Sequence, residues 1–362
     1  MVFGKTLKAL VLTCLLGELA PVLGKNSGEL IYTEPFDLAA GGSVLTRASQ
    51  EGVLFANPAL LPLGGAYIRW IGLETNFILD RDLAEQGQKA FQSPVDTGTS
   101  GYVEKLFNQS IHLGQSASLS VVNKNFAISL YDRLELDVEG SRYDNGGLPT
   151  INFGGEAYAG AMVSSAIQPL DWFSVGMTTK YLYMGEPDIQ IPITDTTRLQ
   201  QLLDDPSSLR DEVQYGKGIG TDIGTMFLWQ NRFVDLSLGV KVEDVGSTKL
   251  SNNQDSLPQT THVGIGLAFH GMTNVLHLSL DYRDVTNEYD EKKFKKIYAG
   301  ARLMLFQHVG LAVGLYQGIP TCGVRFDAFF IKLGITAYGR ELGNYPGDKQ
   351  RNLVSAYTSI GF

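Results

Sequence analysis

Strict alternation of apolar residues with polar or small ones constrains the fold of this chain more than any other feature. In "FVDLSLGVKVE", residues 233–243, valine and leucine side chains share one face, and Asp235 and Lys241 share the other. The same period of two recurs in 275–283 and 309–316. Successive side chains of a β-strand point to opposite faces, so the pattern predicts strands with one apolar and one polar face.

Fourteen strands are predicted from this period. They cover 66–79, 111–122, 125–138, 150–167, 171–184, 215–229, 233–245, 260–269, 275–285, 295–306, 308–317, 319–328, 329–339 and 351–362.

Short and long gaps alternate between these strands. Short turns such as 123–125 and 230–232 alternate with long loops such as 80–110 and 185–214, although the two gaps at 318 and near 328 are both short. A soluble sandwich has no reason to sort its loops in this way, whereas an outer-membrane barrel has short turns at one end and long loops at the other. A closed barrel also removes exposed strand edges. We therefore predict an all-β fold, a transmembrane antiparallel β-barrel of about 14 strands.

The two ends of the chain carry export and assembly signals. Lys5 and Lys8 precede the apolar run "ALVLTCLLG", and a small residue, Gly24, ends a plausible signal peptide over 1–24. The run is too short to span a bilayer as a helix. The chain ends on Phe362, and a terminal aromatic on an alternating strand is typical of substrates of the barrel assembly machinery. These features predict a location in the outer membrane of a Gram-negative bacterium, in contact with outer-membrane lipid.

Composition and motifs exclude several functions. A net charge of −9 with no basic stripe argues against nucleic acid as a partner. The five histidines lack metal-ligand spacing, and no nucleophile elbow is present. Only Cys322 remains after signal cleavage, so no internal disulfide is expected. We expect no enzyme activity, no metal and no cofactor.

Polar residues of the alternating strands are predicted to form a ladder on the lumen wall. His277, Asp281 and Arg283 share one strand face, which leaves a catalytic constellation open as the alternative. Barrel interiors are normally polar, which favours the ladder. The predicted ladder comprises Asp235, Lys241, His277, Asp281, Arg283 and Arg302.

Three further features concern the loops and the wall. Leucines in 185–214, at Leu199, Leu202 and Leu203, have helical spacing, and 80–92 is a second candidate loop helix. Asp132 and Arg133 place charge within an otherwise apolar strand. We interpret this pair as a candidate opening in the wall.

The segment before the barrel does not alternate. It contains "LFANPALLP" at 54–62, and Pro58 would damage a central strand because it has no backbone N–H. A barrel of this size has a lumen too wide for wall side chains to fill. We therefore predict that residues 25–65 form an N-terminal hatch plugging the lumen, followed by the barrel over 66–362.

This segment resembles a known family. The pattern "Gly41-Gly42-Ser43-Val44…Ala48-Ser49…Leu54-Phe55-Ala56-Asn57-Pro58-Ala59-Leu60" is similar to the N-terminal hatch of the FadL-like outer-membrane transporters of long-chain fatty acids and other hydrophobic compounds. Asn57, Pro58 and Ala59 match the family's Asn-Pro-Ala motif, supported by Gly41, Gly42 and Phe55. The family commonly has an aromatic residue where this chain has Ala56, and a glycine where it has Leu60.

The resemblance implies a fourteen-stranded barrel plugged by a hatch that gates passive uptake of hydrophobic small molecules such as long-chain fatty acids. Members of the same superfamily serve protein secretion and surface assembly. An outer-membrane barrel that docks or assembles secreted or surface proteins is therefore the alternative. A barrel enzyme such as a lipase is disfavoured by the absence of a recognisable triad.

Overall fold

The computed structural model describes residues 29–49, 52–63, 69–80, 111–141, 150–186, 189–192, 194–195, 197–198, 214–252, 255–271, 274–341, 345–347 and 350–361. Fourteen long strands run through these ranges. They are β1 Arg69–Asp80, β2 Ile111–Val122, β3 Phe126–Ser141, β4 Thr150–Leu170, β5 Phe173–Glu186, β6 Gln214–Gln230, β7 Val234–Glu243, β8 Thr260–His270, β9 Asn274–Tyr282, β10 Ile297–Leu305, β11 Val309–Tyr316, β12 Ile319–Ala328, β13 Ile331–Glu341 and β14 Gln350–Gly361.

These strands form one closed antiparallel barrel. Each strand pairs with its neighbours in the chain, and β1 pairs with β14 from Gly72↔Gly361 to Asp80↔Leu353, which closes the ring. Every predicted strand is confirmed, with its ends within three residues of the expected ones. The match is close because the period of two is a local property of the sequence.

A short additional strand, Ile189–Pro192, was not expected, because 185–214 was predicted to be a loop. It pairs with β4 from Phe153↔Ile189 to Thr150↔Pro192, in the register that β5 has with β4. Pro187 interrupts the alternation in the sequence, which hid this continuation.

The two faces of the wall differ as predicted. On β1, Leu73 and Phe77 are 45% and 46% exposed on the outer face, whereas Glu74 and Asn76 are buried toward the lumen. Aromatic side chains stand on the outer face at the end with the short turns, where Trp172 and Trp229 each stack on Phe227. Such rings are typical of a membrane–water interface.

The two ends of the barrel are named here by their connections. The short-turn end carries 123–125, 171–172, 231–233, 271–273, 306–308 and 329–330, and the long-loop end carries the remaining connections. The sequence did not show which of the two short gaps, at 318 and near 328, lies at the long-loop end. The structure places 317–318 there. That tight turn forms because Gln317 and Gly318 take φ of 53° and 83°, as a two-residue hairpin requires.

Residues 29–49 and 52–63, called here the lumen segment, lie inside the barrel. The segment contains helix α1, Pro35–Ala39, helix α2, Val53–Ala56, and a 3₁₀-helix, Pro58–Leu63. Helix α1 begins with Pro35 at its first position, where a missing N–H costs nothing, and the Glu34 carboxylate accepts a hydrogen bond from the Asp37 N–H at 3.1 Å. Pro58 thus begins a short helix outside the strand ladder.

Four expectations fall on parts of the chain outside the described residues. They are the signal peptide over 1–24, the loop helices near Leu199 and over 80–92 (apart from Asp80, the last residue of β1), and the assembly signal at Phe362. Among the residues that are described, no helix has the length and apolar character to cross a membrane.

Candidate functional site

The lumen segment contacts the wall along a row of glycines. A Cβ at Gly176 or Gly224 would clash with Pro58 or with the Asn57 side chain, and a Cβ at Gly300 would clash with the Ala40 carbonyl oxygen. The same holds along the row, which is called here the glycine belt. It consists of Gly176, Gly224, Gly239, Gly264, Gly300, Gly314 and Gly323, on β5–β8 and β10–β12. Main chain of the segment therefore lies directly on main chain of the wall.

The Asn57-Pro58-Ala59 motif lies at one of these contacts. Asn57 is fully buried, and its Nδ2 donates to the carbonyl oxygens of Leu45 at 3.0 Å and Thr225 at 3.3 Å. Its Oδ1 accepts from the Ala59 N–H at 3.1 Å. The Ser174 hydroxyl donates to the Ala59 carbonyl oxygen at 2.7 Å. The Asn57 side chain thus connects two turns of the lumen segment with strand β6.

Gly41 and Gly42 form the second close contact with the wall. Both have φ of +67°, a left-handed conformation that favours glycine. The Gly41 N–H donates to the Thr321 hydroxyl at 3.1 Å. A Cβ at Gly41 would clash with the Ala299 carbonyl oxygen. The turn after α1 is therefore built for glycine on both conformational and steric grounds.

Wall side chains satisfy the backbone of the segment where it leaves α1. Asp281 Oδ2 accepts from the N–H groups of Val44 at 2.6 Å and Leu45 at 3.0 Å. Arg283 donates to the Gly42 carbonyl oxygen, and Arg302 donates to the Ser43 carbonyl oxygen.

Two further contacts fix the segment to the wall. Arg302 forms an ion pair with Asp37 at 2.8 Å. Lys241 Nζ donates to the Phe55 carbonyl oxygen at 2.8 Å. These bonds anchor an irregular backbone that has few partners of its own.

Two residues of the predicted ladder lie apart from these contacts. Asp235 lies near the short-turn end, where His270 Nε2 is 2.7 Å from its carboxylate. His277 is buried in the wall, and its Nε2 makes no hydrogen bond among the described residues. The structure therefore brings Lys241, Asp281, Arg283 and Arg302 to the segment, and leaves Asp235 and His277 outside its hydrogen bonds.

A second charged cluster fills the lumen beside Lys241. Asp222, Glu243 and Asp244 approach one another closely enough to hold a metal ion. Lys180 Nζ lies 2.8, 3.3 and 3.1 Å from their oxygens, and Lys241 Nζ lies 3.2 Å from Asp222. Two ammonium groups thus already pair with the three carboxylates.

The residues expected to mark a wall opening lie on opposite faces of β3. Arg133 points into the lumen, where it donates to the Ile31 carbonyl oxygen at 2.8 Å and pairs with Glu135 at 2.6 Å. Strand β3 stays paired with β2 and β4 through both positions, including Asp132↔Ala159. The structure therefore has no break in the wall at Asp132 and Arg133, because a lumen-facing arginine fits the alternation.

Part of the lumen wall carries a cluster of apolar side chains. Side chains of β3–β6 pack against the apolar residues of α2 and of the 3₁₀-helix. Phe55 stacks edge-on against Tyr131, with ring centroids 5.2 Å apart, and also contacts Tyr32 at 4.9 Å. This face, called here the apolar lumen face, comprises Tyr131, Tyr158, Met162, Leu182, Met184 and Met226. Sequence reasoning missed it because these residues occupy the face of each strand that was expected to be polar.

Among the carboxylates of the lumen segment, Glu34 has the clearly shifted pKa. Burial raises its pKa from 4.5 to about 7, and the neighbouring Asp37 carboxylate adds to the rise. Its carboxylate still accepts from the Asp37 N–H, which favours the charged form. Desolvation dominates, so Glu34 titrates near neutral pH.

The fold and the lumen together define a β-barrel filled by its own N-terminal segment. The toluene transporter TbuX of Ralstonia pickettii is similar in structure, with a TM-score of 0.56 and 12% identity over 92% of this chain and 99% of that one. The toluene transporter TodX of Pseudomonas putida aligns with a TM-score of 0.54 and 10% identity, over 94% of this chain and 99% of that one. No family model and no curated protein matches the sequence. At such identities the likeness shows a shared fold alone, and the closed 14-stranded antiparallel barrel expected from the sequence is confirmed.

Proposed function

We propose that this protein is an outer-membrane channel for passive uptake of hydrophobic small molecules, such as long-chain fatty acids, and that its lumen segment is a hatch. The observation that carries the proposal is the apolar lumen face. Barrel interiors are normally polar, so an apolar cluster of lumen-facing side chains on β3–β6 calls for a functional reason.

The hatch covers this face with side chains that an apolar cargo would replace. Leu54, Phe55 and Leu61 are nearly fully buried against it. Moving them away exposes apolar surface at a cost of roughly 25 cal/mol per Å². A hydrophobic molecule in the same place restores that burial. The methionines of the face are unbranched and adapt to ligands of different shape.

The similar solved structures support the substrate class. TbuX and TodX are toluene transporters, so this fold accommodates passage of small apolar compounds in those proteins. Transport of this kind requires no catalytic group. Export by a signal peptide over 1–24 and insertion by the barrel assembly machinery through Phe362 complete the proposal.

Hatch movement is tested with a disulfide tether. Ser43 Oγ and Ser279 Oγ are 2.5 Å apart, so the Ser43→Cys/Ser279→Cys pair places two sulfurs within bonding reach in a Cys322→Ser background. We expect labelled oleate uptake into proteoliposomes to fall several-fold when this variant is oxidised, and to return on reduction.

A disulfide within the wall is the matched control. Ser164 Oγ and Thr178 Oγ lie 2.7 Å apart on β4 and β5, so Ser164→Cys/Thr178→Cys joins two wall strands and leaves the hatch free. Its uptake is expected to be independent of redox state. Equal uptake by the oxidised and reduced tether would refute gating by hatch movement, and uptake no higher than in protein-free liposomes would refute transport.

A further inference from the structure

An arginine without an ion pair lies in the lumen near the short-turn end. A Cβ at Gly264 of β8 would meet the Leu45 side chain of the lumen segment. A Cβ at Gly266, two residues nearer the short-turn end, would meet Thr46. The next residue, Arg47, therefore lies on the short-turn side of these contacts. Its side chain is exposed, and it forms no ion pair and no hydrogen bond with any described residue.

The acids around Arg47 are held by other groups. The Asp37 carboxylate lies 2.8 Å from Arg302, with which it forms a buried ion pair. The Asp235 carboxylate lies 2.7 Å from His270 Nε2. Neither acid comes within ion-pair distance of Arg47, so the guanidinium charge remains without a direct partner.

The surroundings also disfavour the charge of Arg47. The barrel around it reduces its hydration and lowers the pKa of Arg47 from 12.5 to about 10. The neighbouring guanidinium groups of Arg302 and Arg325 add to this fall. The carboxylates of Asp37 and Asp235 oppose it without cancelling it. An anionic ligand would stabilise the charged form of Arg47, because an opposite charge nearby favours it.

Two nitrogen atoms of the adjacent wall also lack partners. His277 and Arg302 are directly opposite each other in the β9–β10 register, and Arg47 is a charged neighbour of both. His277 is 6% exposed, and its Nε2 and the Arg302 Nε make no hydrogen bond among the described residues. Arg302 faces the hatch, because its other nitrogens bind Asp37 and the Ser43 carbonyl oxygen. Movement of the hatch therefore frees Arg302 for another acceptor, which would also recover the cost of its unpaired Nε.

We propose that Arg47, Arg302 and His277 bind the carboxylate group of an amphiphilic cargo at the short-turn end of the lumen, with Arg47 reached first and the two wall residues once the hatch has moved. Guanidinium groups present N–H pairs that match a carboxylate. The proposal rests on the proposed function and deepens it, because it gives the apolar cargo an ionised head group. A neutral hydrocarbon leaves these nitrogens unpaired, so the site selects for acids.

The test compares octanoate with octanamide on the full barrel in a non-ionic detergent by isothermal titration. The two probes have the same chain and differ in charge, and binding is taken as the saturable signal above that of matched empty micelles. We expect octanoate to bind more tightly than octanamide, and the difference to shrink as salt is raised. In Arg47→Gln we expect the octanoate affinity to fall at least about 5-fold, with octanamide unchanged. Arg47→Lys keeps the charge and is expected to lose less than Arg47→Gln.

Arg232→Gln is the matched control, since Arg232 is an exposed arginine at the same end of the barrel, in the turn 231–233 and outside the lumen segment. It is expected to keep both affinities, and heat-modifiable gel mobility establishes that each variant is folded. Equal wild-type affinities for the two probes, or equal octanoate affinities in Arg47→Gln and Arg232→Gln, would overturn the site.

Two further outcomes separate the ligand and the function. Inorganic phosphate that binds as tightly as octanoate, and is lost in Arg47→Gln, would assign the site to free anions and overturn an amphiphilic ligand. An octanoate preference that depends on Arg47, without oleate uptake into proteoliposomes, would overturn the proposed function and leave this site standing. Oleate uptake without an octanoate preference would overturn the site alone.

Discussion

Asp281 is the wall residue whose removal should most weaken the hold on the hatch. Its Oδ2 is the shared acceptor for the N–H groups of Val44 and Leu45, and the carboxylate is fully buried. In Asp281→Ala each N–H loses its partner, at about 1–3 kcal/mol apiece, or about 2–6 kcal/mol in all. Since about 1.4 kcal/mol is a factor of ten, the displaced hatch should become at least about 30-fold more populated. The assay is single-channel conductance of small ions in planar bilayers, read as the fraction of time open.

Two variants bracket this prediction. Asp281→Asn keeps an acceptor oxygen and loses the charge, so we expect an open fraction between those of the wild type and Asp281→Ala. Asp235→Ala removes the same type of side chain from the same lumen wall at a position without a hydrogen bond to the hatch, and is expected to conduct like the wild type. If Asp281→Ala were as closed as Asp235→Ala, the carboxylate would not be what holds the segment, and the reasoning would be wrong.

Two further predictions concern the hatch. Gly224→Ala should displace the hatch and raise the open fraction, because the added Cβ collides with the Asn57 side chain, whereas Gly154→Ala meets nothing within 4 Å and should leave conductance unchanged. Glu34 has its pKa raised to about 7, so its contribution to stability is fully present below pH 4.5 and is lost as the pH rises through 7. Glu34→Gln should therefore flatten the fall in thermal midpoint between pH 4.5 and 8, and an unchanged slope would show that another group titrates.

The barrel could be predicted because its evidence is local. Alternation in a stretch such as 233–243 determines which side chains face lipid, and it does so without any knowledge of the partner strand. Loop lengths then indicate at which end of the barrel each connection lies. The exception is the turn at 317–318, because the gap at 318 and the next gap, near 328, are both short.

The lumen was less predictable because its contacts join residues far apart in the chain. Asp281 and Leu45 meet across 236 positions, and nothing near either residue indicates the other. The misinterpretation at Asp132 and Arg133 has the same origin. A charge in an apolar run suggested a break, whereas Arg133 simply occupies a lumen position opposite the Ile31 carbonyl oxygen.

The polar side chains of the barrel wall have a specific role where they meet the lumen segment. Water lines the lumen of an open porin, whereas here the polar side chains satisfy an irregular backbone that is enclosed at membrane depth. Thr336 and Thr321 donate to the carbonyl oxygens of Pro35 and Ala39, both at 2.8 Å, as Arg302 and Lys241 do elsewhere along the segment.

Pro58 fits the same requirement, because it brings no N–H that would need a partner at the point where the chain meets the glycine belt. The next N–H, of Ala59, is taken by the Asn57 side chain, and the Ala59 carbonyl oxygen is taken by Ser174. The Asn-Pro-Ala motif is thus a stretch of backbone that can touch a wall of main chain with its N–H groups and the Ala59 carbonyl oxygen hydrogen-bonded. Any residue other than proline at position 58 would add a donor there, and any larger residue than glycine at 176 or 224 would push the motif away from the wall.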